Sequence, residues 1–345
     1  MPRLWIALLL ALPGLLQAQQ RGLDLRLPTE NRALLTGGGG PEYFQYVERD
    51  FEGQRTFPWE GGQFGFVRDP RRIGSAIAYA RFHEGLDVKP LRRDPRGEPL
   101  DEVCAILPGE VVYVTASASQ SNYGRYVVVK HDWGEGPFFS LYAHLSQAGV
   151  AAGQKVPAGA VLGRMGYTGS GINQTRAHLH VELNLLLNSR FDVWHAANFS
   201  TPNHHGIYNG MNLLGLNLQE LYAAHRKNPA LSVADFVRGG DPYYEITVPG
   251  RAAMEAAGRY RWLRSDGQIL AIVPPSWVVR CNRWGLPLSV KPGAQAVSTP
   301  QVTWIKNDPI PHYYNTRGII AGTGASGKLT QEGLRFVQLL CGLAP

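Results

Sequence analysis

Ala177-His178-Leu179-His180-Val181-Glu182 is the stretch from which the fold is read. Polar and apolar residues alternate with a period of two, as in a β-strand with one polar face. On that face His178 and His180 lie about 6.5–7 Å apart and Glu182 continues the row. Working outward, residues 110–114, 125–130, 138–142 and 161–165 are apolar runs of strand length. They are separated by turn-rich stretches, among them residues 132–137 and the Gly/Ser/Asn/Thr-rich loop 167–176. Short strands at close spacing with glycine-rich turns predict an antiparallel sheet. The 40 Gly and 24 Pro of the 345 residues favour such turns over long helices.

Two further segments carry the same chemistry. Phe82-His83-Glu84-Gly85-Leu86-Asp87 lies upstream, and Leu141-Tyr142-Ala143-His144-Leu145 lies between. Together the three gather four His and one Asp, residue types that bind zinc and move protons. In a fully extended chain His83 and Asp87 would be roughly 13 Å apart, too far for one ion, but Gly85 lets the chain bend and bring them together. Either His178 or His180 could bind metal while its neighbour faces water or substrate. A carboxylate at Glu182 could hold a ligand imidazole in one tautomer through its other ring nitrogen. His131 precedes a turn, His204-His205 read as a chance surface pair in a polar loop, and His195, His225 and His312 show no partner pattern.

The ordered set resembles the lysostaphin/LytM-type family of zinc metallopeptidases, which cleave peptide bonds in bacterial cell walls. The matching residues are His83-Glu84-Gly85-Leu86-Asp87, Asn122-Tyr123-Gly124-Arg125-Tyr126-Val127, Tyr142-Ala143-His144-Leu145, Val156-Pro157-Ala158-Gly159 with Leu162-Gly163, Gly166-Tyr167-Thr168-Gly169, and His178-Leu179-His180-Val181-Glu182. They span roughly residues 75–187. The resemblance implies a mainly β fold with a groove over an antiparallel sheet. It implies one zinc ion held by His83, Asp87 and His180, with His144 and His178 as the catalytic histidines. It also implies an endopeptidase acting on peptidoglycan cross-bridges or stem peptides. Family members that have lost ligands serve as binding or regulatory modules; this chain keeps all five residues. A secreted protease acting on protein substrates is the other alternative. Two departures bear on the cleft: residues 89–101 are inserted after the His-Asp pair, and residues 171–177 replace a shorter Ser-Thr-Gly-Pro. Residues 188–240 extend beyond the usual module.

Around this core the sequence divides further. Met1-Pro2-Arg3, a short apolar run and Gln17-Ala18-Gln19 read as a signal peptide over residues 1–18, too short to span a bilayer. Export to the periplasm, the medium or the cell wall follows, with no stable membrane insertion after cleavage. Residues 19–45 read as a linker around Gly37-Gly38-Gly39-Gly40, residues 46–240 as the zinc domain, and residues 241–345 as a small C-terminal β-rich domain. Helices are expected at 217–225, 232–237 and 330–341, and strands at 244–248, 260–263, 268–273, 277–280, 286–290 and 302–305. Net charge is +7 without a basic run or nucleic-acid motif, which excludes nucleic acid and fits an anionic wall polymer. Trp262, Trp277, Trp284 and Trp304 either fill the core of the C-terminal domain or stack on sugars. Of the three Cys, Cys104 reads as a buried free thiol, and Cys281 and Cys341 could pair.

Overall fold

The computed structural model describes residues 23–115, 117–264 and 273–343. The proposed signal peptide and most of the strand expected at 268–273 lie outside the described residues. The strand Leu179–Leu186 forms the centre of a seven-stranded antiparallel sheet. On one side it pairs with Pro137–Ala143, and the sheet continues through Tyr126–Asp132 and Gly109–Thr115 to Lys155–Val156. On its other side two short strands divide its length, Leu86–Val88 beside the first half and Leu213–Gly215 beside the second. This is the mainly β, antiparallel architecture expected from the alternation.

Every residue of Leu179–Leu186 is buried, because both faces of the sheet are covered. Leu179, Val181, Leu183 and Leu185 point into the main core with Val127, Val129 and Tyr142. On the opposite face Tyr126, Val128, Leu141, Ala143 and Leu186 form a second apolar cluster, covered by Ile207 and Tyr208. An antiparallel sheet commonly leaves one face to solvent; here the extension after residue 187 closes it from Glu182 onward. Helices Leu218–Lys227 and Val233–Arg238 follow as expected, with Asn217 and Ser232 accepting from the backbone amides of Glu220 and Asp235.

Residues 23–45 are packed on the core, contrary to the linker expected there. Arg26 N–H donates to Ile106 O, Cys104 N–H to Pro28 O and Lys89 N–H to Tyr43 O. Leu34, Tyr43 and Phe44 are buried, and the burial of their apolar area opposes the entropy lost by ordering the glycines. Gly38, Gly39 and Gly40 have φ of 75°, 102° and 101°, so they form a tight left-handed turn that other residues resist. A long hairpin, Gly65–Ile73 with Ala76–His83, then delivers the first site histidine.

The C-terminal region forms its own antiparallel sheet in the order Pro287–Gly293, Ser276–Cys281, Tyr244–Pro249, Gln301–Ile305, with helix Gln331–Cys341 beside it. It shares one hydrophobic core with the rest of the chain. The strand expected at 260–263 is instead the short 3-10 helix Arg261–Leu263. Tyr260 anchors it: its hydroxyl donates to Pro137 O at 2.7 Å and accepts from Leu186 N–H at 2.8 Å, inside the other sheet. Trp262, Trp277 and Trp284 pack against the core, as the core reading requires, whereas Trp304 is exposed. All three cysteines are free thiols, so the pairing of Cys281 with Cys341 is absent; Cys104 is half-buried.

His131, unremarkable in the sequence, is fully buried between Pro108 O and Ser140 Oγ. Burial pulls its pKa down to about 4. The folded form therefore prefers neutral imidazole, and stability present above the unfolded pKa of ~6.5 is lost as the pH falls toward 4. Urea unfolding should show a loss of about 3 kcal/mol over that interval from this residue, and His131→Gln should flatten that part of the profile.

Candidate metal centre

Strand geometry places the site. His178, His180, Glu182 and Asn184 alternate onto one face of the central strand. Asp87 is the direct cross-strand partner of His180, so their side chains share that face. The hairpin strand ends at His83, the chain bends through Glu84-Gly85, and Leu86–Val88 begins. The bend was expected; the reason for glycine differs. Gly85 does not take a left-handed φ, but a Cβ there would meet Val181 O at 2.6 Å and His180 Cε1 at 2.9 Å. The bend fits only because that side chain is missing.

Three donor atoms converge. His83 Nε2 lies 3.0 Å from His180 Nδ1 and 3.1 Å from Asp87 Oδ1, and His180 Nδ1 lies 2.9 Å from Asp87 Oδ1. These residues form the one group among the described residues with three metal-type donors within reach of one ion. The remaining ring nitrogens decide the tautomers. His83 Nδ1–H donates to Gln63 O at 2.7 Å, which leaves Nε2 unprotonated toward the centre. His180 Nε2–H donates to Glu182 Oε1 at 2.7 Å, which leaves Nδ1 as the inward donor. Glu182 also accepts from Tyr123 Oη–H at 2.7 Å and Asn184 Nδ2–H at 2.9 Å. Two neutral imidazoles and a carboxylate meeting at a point, each fixed from behind, fit a zinc ion.

His144 and His178 stand next to this triangle. Their rings are 4.8 Å apart between centroids, and His144 is 5.8 Å from His180. His178 Nδ1–H donates to Arg176 O at 2.7 Å and His144 Nδ1–H to Thr168 O at 2.9 Å. Both therefore turn an unprotonated Nε2 away from those carbonyls; that of His178 is 3.4 Å from Asp87 Oδ1. His144 adopts φ 63°, rare for a residue with a side chain. Its amide bonds Tyr123 O, and Leu145 N–H bonds Arg125 O, which holds this conformation. The structure thus brings together all six residues singled out from sequence: His83, Asp87, His144, His178, His180 and Glu182.

The electrostatics follow from enclosure. None of the six is more than 7% exposed. Burial pulls His144 well below the usual histidine value, with the neighbouring charges of His178 and His180 adding to it. Burial and the Arg68 guanidinium lower His83. Burial opposes ionisation of Asp87, but the positive groups around it prevail and hold it well below the carboxylate range. For His180 burial works downward too, and its bonds to Asp87 and Glu182 overcome it, raising it to about 9.

Arg68, Gln63 and Tyr123 were missed. Arg68 Nη2–H donates to Asp87 Oδ2 at 2.5 Å and its Nε–H to Gly61 O at 2.7 Å. It comes from the opposite strand of the hairpin, and nothing in the local pattern marks it among the neighbouring arginines. Tyr123 belongs to the quoted Asn122-Tyr123-Gly124, but its role depends on a contact across the sheet. Its ring packs on Gly210, where a Cβ would come within 2.7 Å. The two departures from the family pattern touch each other. Arg93 donates to Gln174 O and Thr175 O, while Gln174 Nε2–H and Tyr167 Oη–H donate to Glu98. The insertion and the longer loop form one wall beside His178.

Residues 81–191 match the family model described as Peptidase family M23. No curated protein matches the chain. Among solved structures it is similar to a variant catalytic domain of the prophage-encoded M23 protein EnpA from Enterococcus faecalis. The identity is 23%, over 43% of this chain and 87% of that one, with TM-score 0.25. It is also similar to the catalytic domain of the antimicrobial peptidase lysostaphin from Staphylococcus simulans, at 24% over 40% and 79%, TM-score 0.26. A zinc-containing peptidase from Vibrio cholerae is 24% identical over 40% and 43%, TM-score 0.24.

Glu182→Gln keeps the shape at the centre but removes the anionic acceptor for His180 Nε2–H. Metal affinity should fall about 10–100-fold, read by competition with a chromophoric chelator, with thermal unfolding of the metal-free protein as control.

Proposed function

We propose that the protein is a zinc metalloendopeptidase that hydrolyses peptide bonds of peptidoglycan cross-bridges or stem peptides outside the cytoplasm. The observation that carries this reading is the convergence of His83 Nε2, His180 Nδ1 and Asp87 Oδ1, each within 3.1 Å of the others, beside two more inward-facing histidines. The M23 match supports the reaction class. The signal-like residues 1–18 and the charge of +7 support an anionic wall as substrate.

In this reading His83, Asp87 and His180 hold one zinc ion, which supplies Lewis acidity and brings the pKa of a water toward ~7. His144 is the neutral base: its depressed pKa keeps Nε2 free at neutral pH, and the Thr168 carbonyl fixes the ring so that Nε2 faces inward. His178, fixed in the same tautomer by Arg176 O, stands across from it to orient the attacking water and return a proton to the leaving amine. Asp87 stays ionised, and Arg68 bonds its outer oxygen so that Oδ1 remains the inward donor. Enclosure excludes bulk water, which strengthens these interactions.

The same enclosure favours a second reading, a latent or regulatory module, since no site residue is more than 7% exposed. One experiment separates them. Zinc-loaded protein lacking residues 1–18 is incubated with purified peptidoglycan and, separately, with casein, and new amines and fragments are identified by mass spectrometry. Release of wall fragments is expected, abolished with zinc binding in His180→Ala. In His144→Ala or His178→Ala turnover should drop by about 10²–10⁴-fold with zinc retained. Absence of fragments despite one bound zinc would support the latent module, and cleavage of casein alone a protease of secreted proteins.

A further inference from the structure

We propose that Trp284 and Arg317, from the C-terminal region, are positioning residues for the metal centre: they hold the Glu84-Gly85 bend that brings His83 and Asp87 to one point. The consequence for zinc rests on the proposed function; the mechanical part does not.

The bend lacks support of its own. Glu84 and Gly85 lie between two strands and belong to neither. Three features stand in for it. Arg317 Nη2–H donates to Glu84 Oε1 at 2.8 Å, both side chains about one-third exposed. The same guanidinium lies over the Phe82 ring, 5.1 Å from its centroid. Trp284 stacks on Phe82 from 5.7 Å at 24° and meets Phe64 edge-on at 5.3 Å. Its indole N–H donates to Gly215 O at 3.3 Å. Gly215 in turn packs on the carbonyl of Glu84 so closely that a Cβ would stand 2.5 Å from it.

Each contact falls one residue from something the metal centre needs. Phe82 precedes the ligand His83. Phe64 follows Gln63, whose carbonyl fixes the His83 tautomer. Glu84 follows His83 and opens the bend to Asp87. The clamp therefore grips the ligand loop without touching a ligand. Arg317 itself has φ 56°, a backbone state that a residue with a side chain leaves unless its surroundings impose it. Here Thr316 Oγ–H bonds His312 O, Ile320 N–H bonds Thr316 Oγ and Gly318 N–H bonds Tyr313 O, which lock the turn on both sides of Arg317. That strained turn presents the guanidinium to Glu84. The C-terminal region is thus part of the machinery that forms the site.

Arg317→Gln, Trp284→Phe, Glu84→Gln and the Glu84→Gln/Arg317→Gln double variant test this in the full-length mature protein. Two quantities are read beside the thermal midpoint: amide exchange of the 82–88 peptide without metal, and zinc affinity by chelator competition. Arg317→Gln and Trp284→Phe should speed exchange in this peptide several-fold and weaken zinc about tenfold, with the midpoint little changed. The double variant should be no worse than Arg317→Gln alone, because the two partners act through one contact. Wild-type exchange in both clamp variants, or additive effects in the double variant, would overturn the proposal. If the wild type takes up no zinc, the proposed function fails, and the exchange measurement still decides the clamp.

Discussion

Every imidazole at the centre of this molecule has one ring nitrogen tied to an acceptor behind it. Gln63 O, Thr168 O, Arg176 O and Glu182 Oε1 each receive one N–H. The rest of the site depends on this constraint, because a neutral imidazole has one proton to place. Once an outer acceptor takes that proton, the other nitrogen is an unprotonated donor facing the centre. Four such rings around one carboxylate, all nearly closed from solvent, are costly to bury unless something positive or a proton shuttles among them. The charge of Arg68 on Asp87 offsets part of this.

The outer acceptors come from three separate stretches of chain, so the fold must be assembled before the site exists. Gln63 precedes the long hairpin, Thr168 and Arg176 belong to the loop 167–176, and Glu182 lies on the central strand. The extension after residue 187 packs Tyr123 toward Glu182 through Gly210, and the C-terminal region presses on the ligand loop through Trp284 and Arg317. The family match ends at residue 191, yet the supports of the site reach to Arg317.

Much of this was legible in the sequence. Strict alternation in residues 177–182 fixed both a strand and its polar face, and the helices expected at 217–225, 232–237 and 330–341 are present. What failed did so for tertiary reasons. The glycine run at 37–40 has the composition of a linker, but the aromatic pair Tyr43-Phe44 beside it supplies the burial that orders it. Residues 260–263 read as a strand because they flank the turn signal Ser265-Asp266-Gly267, yet Tyr260 is held by two bonds to a distant sheet. Arg68, Gln63 and Arg317 act through contacts tens to hundreds of residues apart, and no local pattern encodes these.

The most direct test of the account is the protonation state of the four rings. In zinc-loaded protein labelled with ¹⁵N-histidine, long-range ¹H–¹⁵N spectra report which nitrogen of each ring carries hydrogen. The account predicts Nδ1–H for His83, His144 and His178, Nε2–H for His180, and metal-shifted Nε2 of His83 and Nδ1 of His180 alone. A protonated Nδ1 on His180, or a metal-shifted nitrogen on His144 in place of either ligand, would contradict it.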